Sequence, residues 1–167
     1  MSRATPLGAV TRGLAAGLLG TALFTVYRTL RGQGDVESPE EARGSDWSEA
    51  PPPAQVGQRL VEGVFQHDVP REQGGRLQMI VHFGYGTFWG AVYGLVHESR
   101  KGSAAVDGVG LAAAVVATDY TLLPAMGLYR PPWEYPPETI AKDFGDHVVY
   151  CLSVAGAYRL LAKMQHA

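Results

Sequence analysis

Aspartate and histidine side chains recur inside apolar stretches of this 167-residue sequence, where an ionisable group is costly to bury. Asp143 and His147 are four residues apart and therefore share one face of a helix, with Asp146 at its edge. His82 and Asp119 lie in two other apolar stretches. Imidazole and carboxylate groups in such surroundings exchange protons, bind metal ions or hold helices together.

These groups fall at similar depths if each stretch is a helix. A rise of 1.5 Å per residue puts His82, Asp119 and His147 roughly 9–15 Å from the helix ends that face the two longer loops. Arg28 reaches the same level from the first stretch. The sequence therefore predicts one polar cluster, formed by His82, Asp119, Asp143, Asp146, His147 and Arg28.

Three interpretations of this cluster stay open. It is a structural contact that fixes the register of the helices, a proton or metal site, or the lining of a wet vestibule. For a metal site, the candidate ligands are Asp143, His147 and His82. The sequence has no nucleophile–base arrangement, glycine-rich phosphate loop or HExxH pattern. We therefore expect neither an enzyme nor a cofactor.

Four apolar segments must position these groups, at about 7–30, 76–98, 103–128 and 137–162. Each is long enough to cross a hydrocarbon core of about 30 Å. The sequence therefore predicts an all-α fold, a four-span transmembrane helical bundle in a single membrane domain of residues 1–167. The first segment is followed by no small-x-small cleavage site, so we expect it to be retained as a span.

Residues 31–75 carry nine acidic residues and four arginines, and they include three consecutive prolines. This composition predicts a long, solvated acidic loop outside the membrane. Within it, apolar residues recur at helical spacing and predict a short amphipathic helix over 54–66.

Glycine recurs at every fourth position in Gly86, Gly90 and Gly94. Each interior glycine costs a helix in water about 1 kcal/mol relative to alanine. In lipid, by contrast, small residues let helix backbones approach closely. The spacing therefore predicts a glycine zipper, a helix-packing groove that contacts another helix of the bundle. Through the same face the protein is expected to pack as a homo-oligomer or beside a larger membrane complex.

The sequence also repeats itself. His82-x-x-Tyr85-x7-Tyr93 recurs as His147-x-x-Tyr150-x7-Tyr158, and GLAAGLLGT at 13–21 is echoed by GLAAAVVAT at 110–118. The pattern predicts two repeated helical hairpins of the same orientation. The alternative is chance similarity between helices rich in glycine and alanine.

The amino-acid composition restricts the classes of partner that this protein could bind. Charged residues make up 18% of the chain, below the roughly 25% of soluble domains. The net charge of −2 leaves no basic cluster for nucleic acid. The expected partner is the lipid bilayer. Arginines and lysines divide evenly between the two membrane sides, so orientation is weakly determined, and we place both termini in the cytoplasm.

Residues 124–150 carry a run of short motifs: Pro124-Ala-Met126-Gly127-Leu128, then Pro131-Pro132, an acidic residue and Gly145-x-His147. This run resembles the YagU-like family of small multi-span bacterial inner-membrane proteins, whose activity is uncharacterised. The resemblance extends over about 76–162 and includes His82 and Tyr93-Gly94. It implies a multi-pass protein of the bacterial inner (plasma) membrane.

Together these features predict a small integral membrane protein with a structural or accessory role. The alternative is a small transport protein, or one that handles protons or metal ions through the His/Asp cluster.

Overall fold

The computed structural model describes residues 5–34, 36–100 and 102–164. The long helices are α1 (Pro6–Leu30), α4 (Gly74–Arg100), α5 (Ala104–Ala125) and α6 (Pro137–Met164), and the shorter ones are α2 (Pro39–Ala42) and α3 (Pro52–Phe65). The described residues contain no β-strand. The predicted all-α class is confirmed, and the four long helices start and end close to the predicted segments.

Within the described ranges, two helices are long and apolar enough to cross a membrane: α1 and α5. Helices α4 and α6 have the length but carry more polar and charged side chains along it. Length and composition thus give limited support to a membrane location.

Helices α1 and α4 pack closely through glycines on both partners. A methyl group added to Gly17 would lie 2.7 Å from the carbonyl oxygen of Gly86, and one added to Gly13 would lie 2.5 Å from that of Gly90. Gly94 meets the backbone of α1 in the same way. Such contacts leave no room for a side chain. The glycine stripe therefore packs inside the chain, as expected for a helix contact within the bundle, while association with a second copy or a larger complex stays a prediction.

Helices α5 and α6 also pack through small residues, but their backbones approach less closely than those of α1 and α4. A methyl group added to Gly108 would lie 3.6 Å from the Cβ atom of Ala155. Ala155 corresponds to Gly90 in the repeated motif, since each lies eight residues after its histidine. Gly110, which the sequence echo aligns with Gly13, is exposed and has open space around it. The repeat of 13–21 in 110–118 stays a prediction.

The segment between α1 and α4 folds against the bundle instead of extending into solvent. Arg71 forms an ion pair with Glu37, with a closest distance of 2.5 Å. Ala42 and Ala50 are buried. Helix α3 packs on α4 through Gly57, where an added methyl group would lie 3.0 Å from the Cβ atom of Leu77. These contacts were not predicted for the acidic loop, while α3 lies where the amphipathic helix was predicted.

A candidate proton and solute cavity

A cavity of about 310 Å³ lies between the helices, in the half of the bundle nearest the segment 126–136. Every residue of the predicted polar cluster lines it: Arg28, His82, Asp119, Asp143, Asp146 and His147. The structure thus brings side chains of α1, α4, α5 and α6 to one site. The histidines and aspartates lie six to ten residues from the helix ends on this side, roughly 9–15 Å, and Arg28 lies within one turn of the end of α1.

Aromatic and aliphatic side chains form the rest of the lining. The aromatic residues are Phe24, Tyr85, Trp89, Tyr129 and Tyr150. Pro52, Pro53 and Val56 of α3 close one end, where Arg59 of the same helix donates a hydrogen bond to the carbonyl oxygen of Met126. The amphipathic helix therefore covers the cavity, a position that sequence reasoning did not predict.

The contact between His147 and Asp119 is central to the cavity's chemistry. His147 Nδ1 lies 2.7 Å from the carbonyl oxygen of Asp143. Because a carbonyl oxygen only accepts, Nδ1 carries a hydrogen. His147 Nε2 lies 3.4 Å from Asp119 Oδ2. A favourable contact there needs one proton on the pair, either on an imidazolium beside a carboxylate or on a carboxylic acid beside a neutral imidazole.

Each of the three carboxylates in the lining accepts a hydrogen bond from a tyrosine. The donors are Tyr85 for Asp119 (2.7 Å), Tyr120 for Asp143 (2.6 Å) and Tyr27 for Asp146 (3.5 Å). The three tyrosines lie on α4, α5 and α1, so each hydrogen bond fixes a carboxylate within the bundle. Asp146 also lies 3.5 Å from the guanidinium of Arg31.

The remaining two members of the cluster bond elsewhere. The Thr25 hydroxyl donates to the Thr21 carbonyl oxygen at 2.8 Å. His82 Nε2 lies 3.2 Å from Thr25 Oγ1 and therefore donates to it. Arg28 donates to the carbonyl oxygen of Gln33 at 3.0 and 3.2 Å. Both groups line the cavity as predicted members of the cluster, and the carboxylates bond to His147, the tyrosines and Arg31.

Tyr129 lies in the segment between α5 and α6 and lines the cavity from outside the helices. Burial, and then the negative charges of Asp143 and Asp119, raise the pKa of Tyr129 to about 12. The phenol is therefore protonated at neutral pH and remains a hydrogen-bond donor.

The geometry gives no support to a metal site. Over residues 5–34, 36–100 and 102–164, no group of three or more His, Cys, Asp or Glu side chains is placed to hold a metal ion. The candidate ligands are held apart by their own hydrogen bonds, since the Asp143 carboxylate accepts from Tyr120 and His82 donates to Thr25.

Sequence reasoning missed a second polar group at the opposite end of the bundle, which we call the far-end cluster. It consists of Arg12, Glu98 and Tyr158, with His97, Arg100 and Asp107 beside them. Arg12 lies 3.2 Å from Glu98, and His97 Nδ1 lies 2.7 Å from Asp107. Arg12 and Asp107 are both buried. The sequence feature that could have revealed this cluster is the presence of Arg12 and Asp107 within apolar helices.

Comparison of the chain with models of protein families, with curated proteins and with solved structures found no match.

Proposed function

We propose that this chain is a small multi-pass protein of the bacterial inner membrane, with all four long helices crossing the bilayer and a cavity that takes up and releases a proton. The resemblance to the YagU-like family supports the location, and α1 and α5 support the spans. Both termini lie in the cytoplasm in this proposal, and the segments 31–73 and 126–136 lie outside.

The outer surface of α1 supports a lipid environment. Leu18, Leu23 and Val26 are each more than half exposed. Leu7 and Leu30, at the two ends of the helix, are more exposed still. A water-soluble bundle would leave this leucine-rich stripe as an unpartnered apolar patch, whereas acyl chains cover it at no cost.

Proton exchange is the function that the cavity favours over a purely structural role. The observation that supports it is the His147–Asp119 pair, whose Nε2 and Oδ2 atoms lie 3.4 Å apart and which lines a cavity of about 310 Å³. A polar contact that serves only to hold helices together is expected to be close-packed, because an internal void forfeits dispersion contacts. An ionisable pair next to open space can instead exchange its proton with whatever enters.

A structural or accessory role is the second candidate, and one observation favours it. Asp119 of α5 accepts from Tyr85 of α4 and contacts His147 of α6. This network joins three helices, so its loss would also loosen the bundle.

Two measurements test the membrane proposal. Carbonate washing is expected to leave the protein in the membrane pellet, and release into the supernatant would contradict the proposal. In a Cys151→Ala background, single cysteines are placed at Ser48, Ser103 and Glu134, which are all exposed. A membrane-impermeable maleimide added to intact cells should label positions 48 and 134 but not position 103.

Infrared difference spectra between pH 5 and pH 8 test the proton function on the purified full chain. A carboxyl or imidazole band of the His147–Asp119 pair should titrate in the wild type and be altered in Asp119→Asn, while thermal unfolding confirms that the variant is folded. If no such band titrates and the variant fails to fold, the network is structural.

A further inference from the structure

The cavity lining carries more negative than positive charge. Three carboxylates face it, against one arginine, Arg28, whose guanidinium is engaged by the Gln33 carbonyl oxygen. Asp146 has Arg31 as a partner. In the part of the chain that the structure describes, no arginine or lysine forms an ion pair with Asp119 or Asp143. These two carboxylates therefore attract a cation into the cavity.

The rest of the lining matches a cation that also carries carbon. Trp89, Tyr85 and Tyr129 present aromatic rings, whose faces attract ammonium groups. Leu122, Leu123 and Val81 supply an apolar surface. A small inorganic cation would gain nothing from these groups, because it needs several oxygen ligands at once.

The volume fits the same class of ligand. At about 310 Å³, the cavity lies at the lower end of the range for small-molecule sites, about 300–1,000 Å³. It has the usual composition of such sites, a mainly apolar wall with a few placed polar groups. The volume admits a small amine.

We propose that the cavity binds a small organic cation, an amine or quaternary ammonium with an apolar group, between the carboxylates of Asp119 and Asp143 and the aromatic rings of the lining. This inference names the substrate class of the proposed proton-exchanging site and rests on that function. The cation and the proton are alternative occupants of the same pair.

The exchange balances in charge. In the empty cavity the His147–Asp119 pair holds one proton. When the cation binds beside Asp119, the proton leaves the His147–Asp119 pair for water, so one cation enters and one proton departs. Asp119 directly contacts Tyr85 and His147. The other charged or titratable groups that line the same cavity are Arg28 from α1, His82 from α4, Asp143, Asp146 and Tyr150 from α6, and Tyr129 from the connecting segment. Acidic conditions protonate carboxylates and imidazoles alike, so cation binding weakens as the pH falls.

Calorimetry on the full chain in lipid nanodiscs tests the inference with benzyltrimethylammonium as the probe. The anion 3-phenylpropionate, of similar size and opposite charge, is the ligand control, and empty nanodiscs correct for partition into lipid. We expect the cation to bind and the anion not to bind. Titration in buffers of different ionisation enthalpy should report about one proton released per cation, and affinity should be lower at pH 5 than at pH 8.

Matched variants locate the site. Asp119→Asn is expected to lower affinity at least tenfold, because a charge-assisted contact is lost. Asp143→Asn should lower it too and serves as the test if Asp119→Asn does not fold. Glu138→Gln removes one negative charge from an exposed position on α6 and should leave affinity unchanged.

Three outcomes would overturn the inference: no cation binding by the folded wild type, equal binding of the anion, or unchanged affinity in both aspartate variants. The infrared titration separates these failures from failure of the proposed function. If the His147–Asp119 pair still titrates while no cation binds, proton exchange stands and the substrate class is wrong. If neither is observed, both proposals fail.

Discussion

The rings of Tyr93 and Tyr158 meet edge to face, with their centroids 5.6 Å apart. Each tyrosine lies eleven residues after the histidine of its helix, His82 or His147, and both histidines line the cavity. Eleven residues are about three helical turns. The repeated spacing therefore puts like side chains at like depths on α4 and α6, with the cavity at one level and the tyrosine pair at another.

The far-end cluster should contribute to stability. Glu98 receives hydrogen bonds from Arg12 at 3.2 Å and from the Tyr158 hydroxyl at 2.9 Å. Glu98→Gln removes the negative charge beside a buried guanidinium, and we expect it to lower the free energy of unfolding by about 2 kcal/mol. Thermal unfolding in detergent measures the effect. The exposed Glu138→Gln is the control, and equal unfolding temperatures for the two variants would argue against a role for the ion pair.

The packing of α1 on α4 predicts a contrast between two glycines of one helix. Gly90 is buried against the backbone of α1, whereas Gly84 is exposed, with open space where a Cβ atom would stand. Gly90→Leu should therefore force the helices apart and destabilise the bundle by at least 1–3 kcal/mol, roughly the cost of overpacking. Gly84→Leu should be neutral or mildly stabilising, because leucine is a better helix former. Unfolding temperatures that do not separate the variants would refute this packing.

Helix α3, which covers the cavity, also has one packed glycine and one glycine with open space around it. Gly57 contacts Leu77 and Val81 of α4, while Gly63 has open space around it. Gly57→Leu should lift α3 from α4 and speed backbone hydrogen exchange along 52–65, and Gly63→Leu should not. Mass-spectrometric exchange on the full chain measures both. Unchanged protection in Gly57→Leu would mean that α3 is held by other contacts.

The sequence predicts the helices of this protein and the membership of its polar cluster for the same reason. Apolar length locates the helices, and a constant rise per residue then gives the depth of each ionisable group. His82, Asp119 and His147 could therefore be assigned to one level without knowing how the helices pack.

Pairing within the cluster could not be predicted, because it depends on helix rotation and on side-chain rotamers. Tyr120 and Tyr85 each lie near several carboxylates in any bundle, and only the packed structure assigns them to Asp143 and Asp119. The destination of the glycine stripe was equally undetermined, since a close-packing surface does not specify whether its partner is the same chain. In the structure the partner of the stripe is α1, which contacts it through Gly13 and Gly17.

The two histidines, equivalent in sequence, should differ in function because their partners differ. His147 contacts the Asp119 carboxylate, whereas His82 donates to the Thr25 hydroxyl. Glutamine can replace the second interaction, since its amide donates a hydrogen bond, but it cannot hold the proton that the first requires. We therefore expect His147→Gln to alter the infrared titration between pH 5 and pH 8 as strongly as Asp119→Asn does. His82→Gln should titrate as the wild type does, with a similar unfolding temperature. Equal loss of the infrared titration in both folded variants would assign the proton to a site shared by the two imidazole rings. An unchanged titration in His147→Gln would show that this histidine is not part of the proton site.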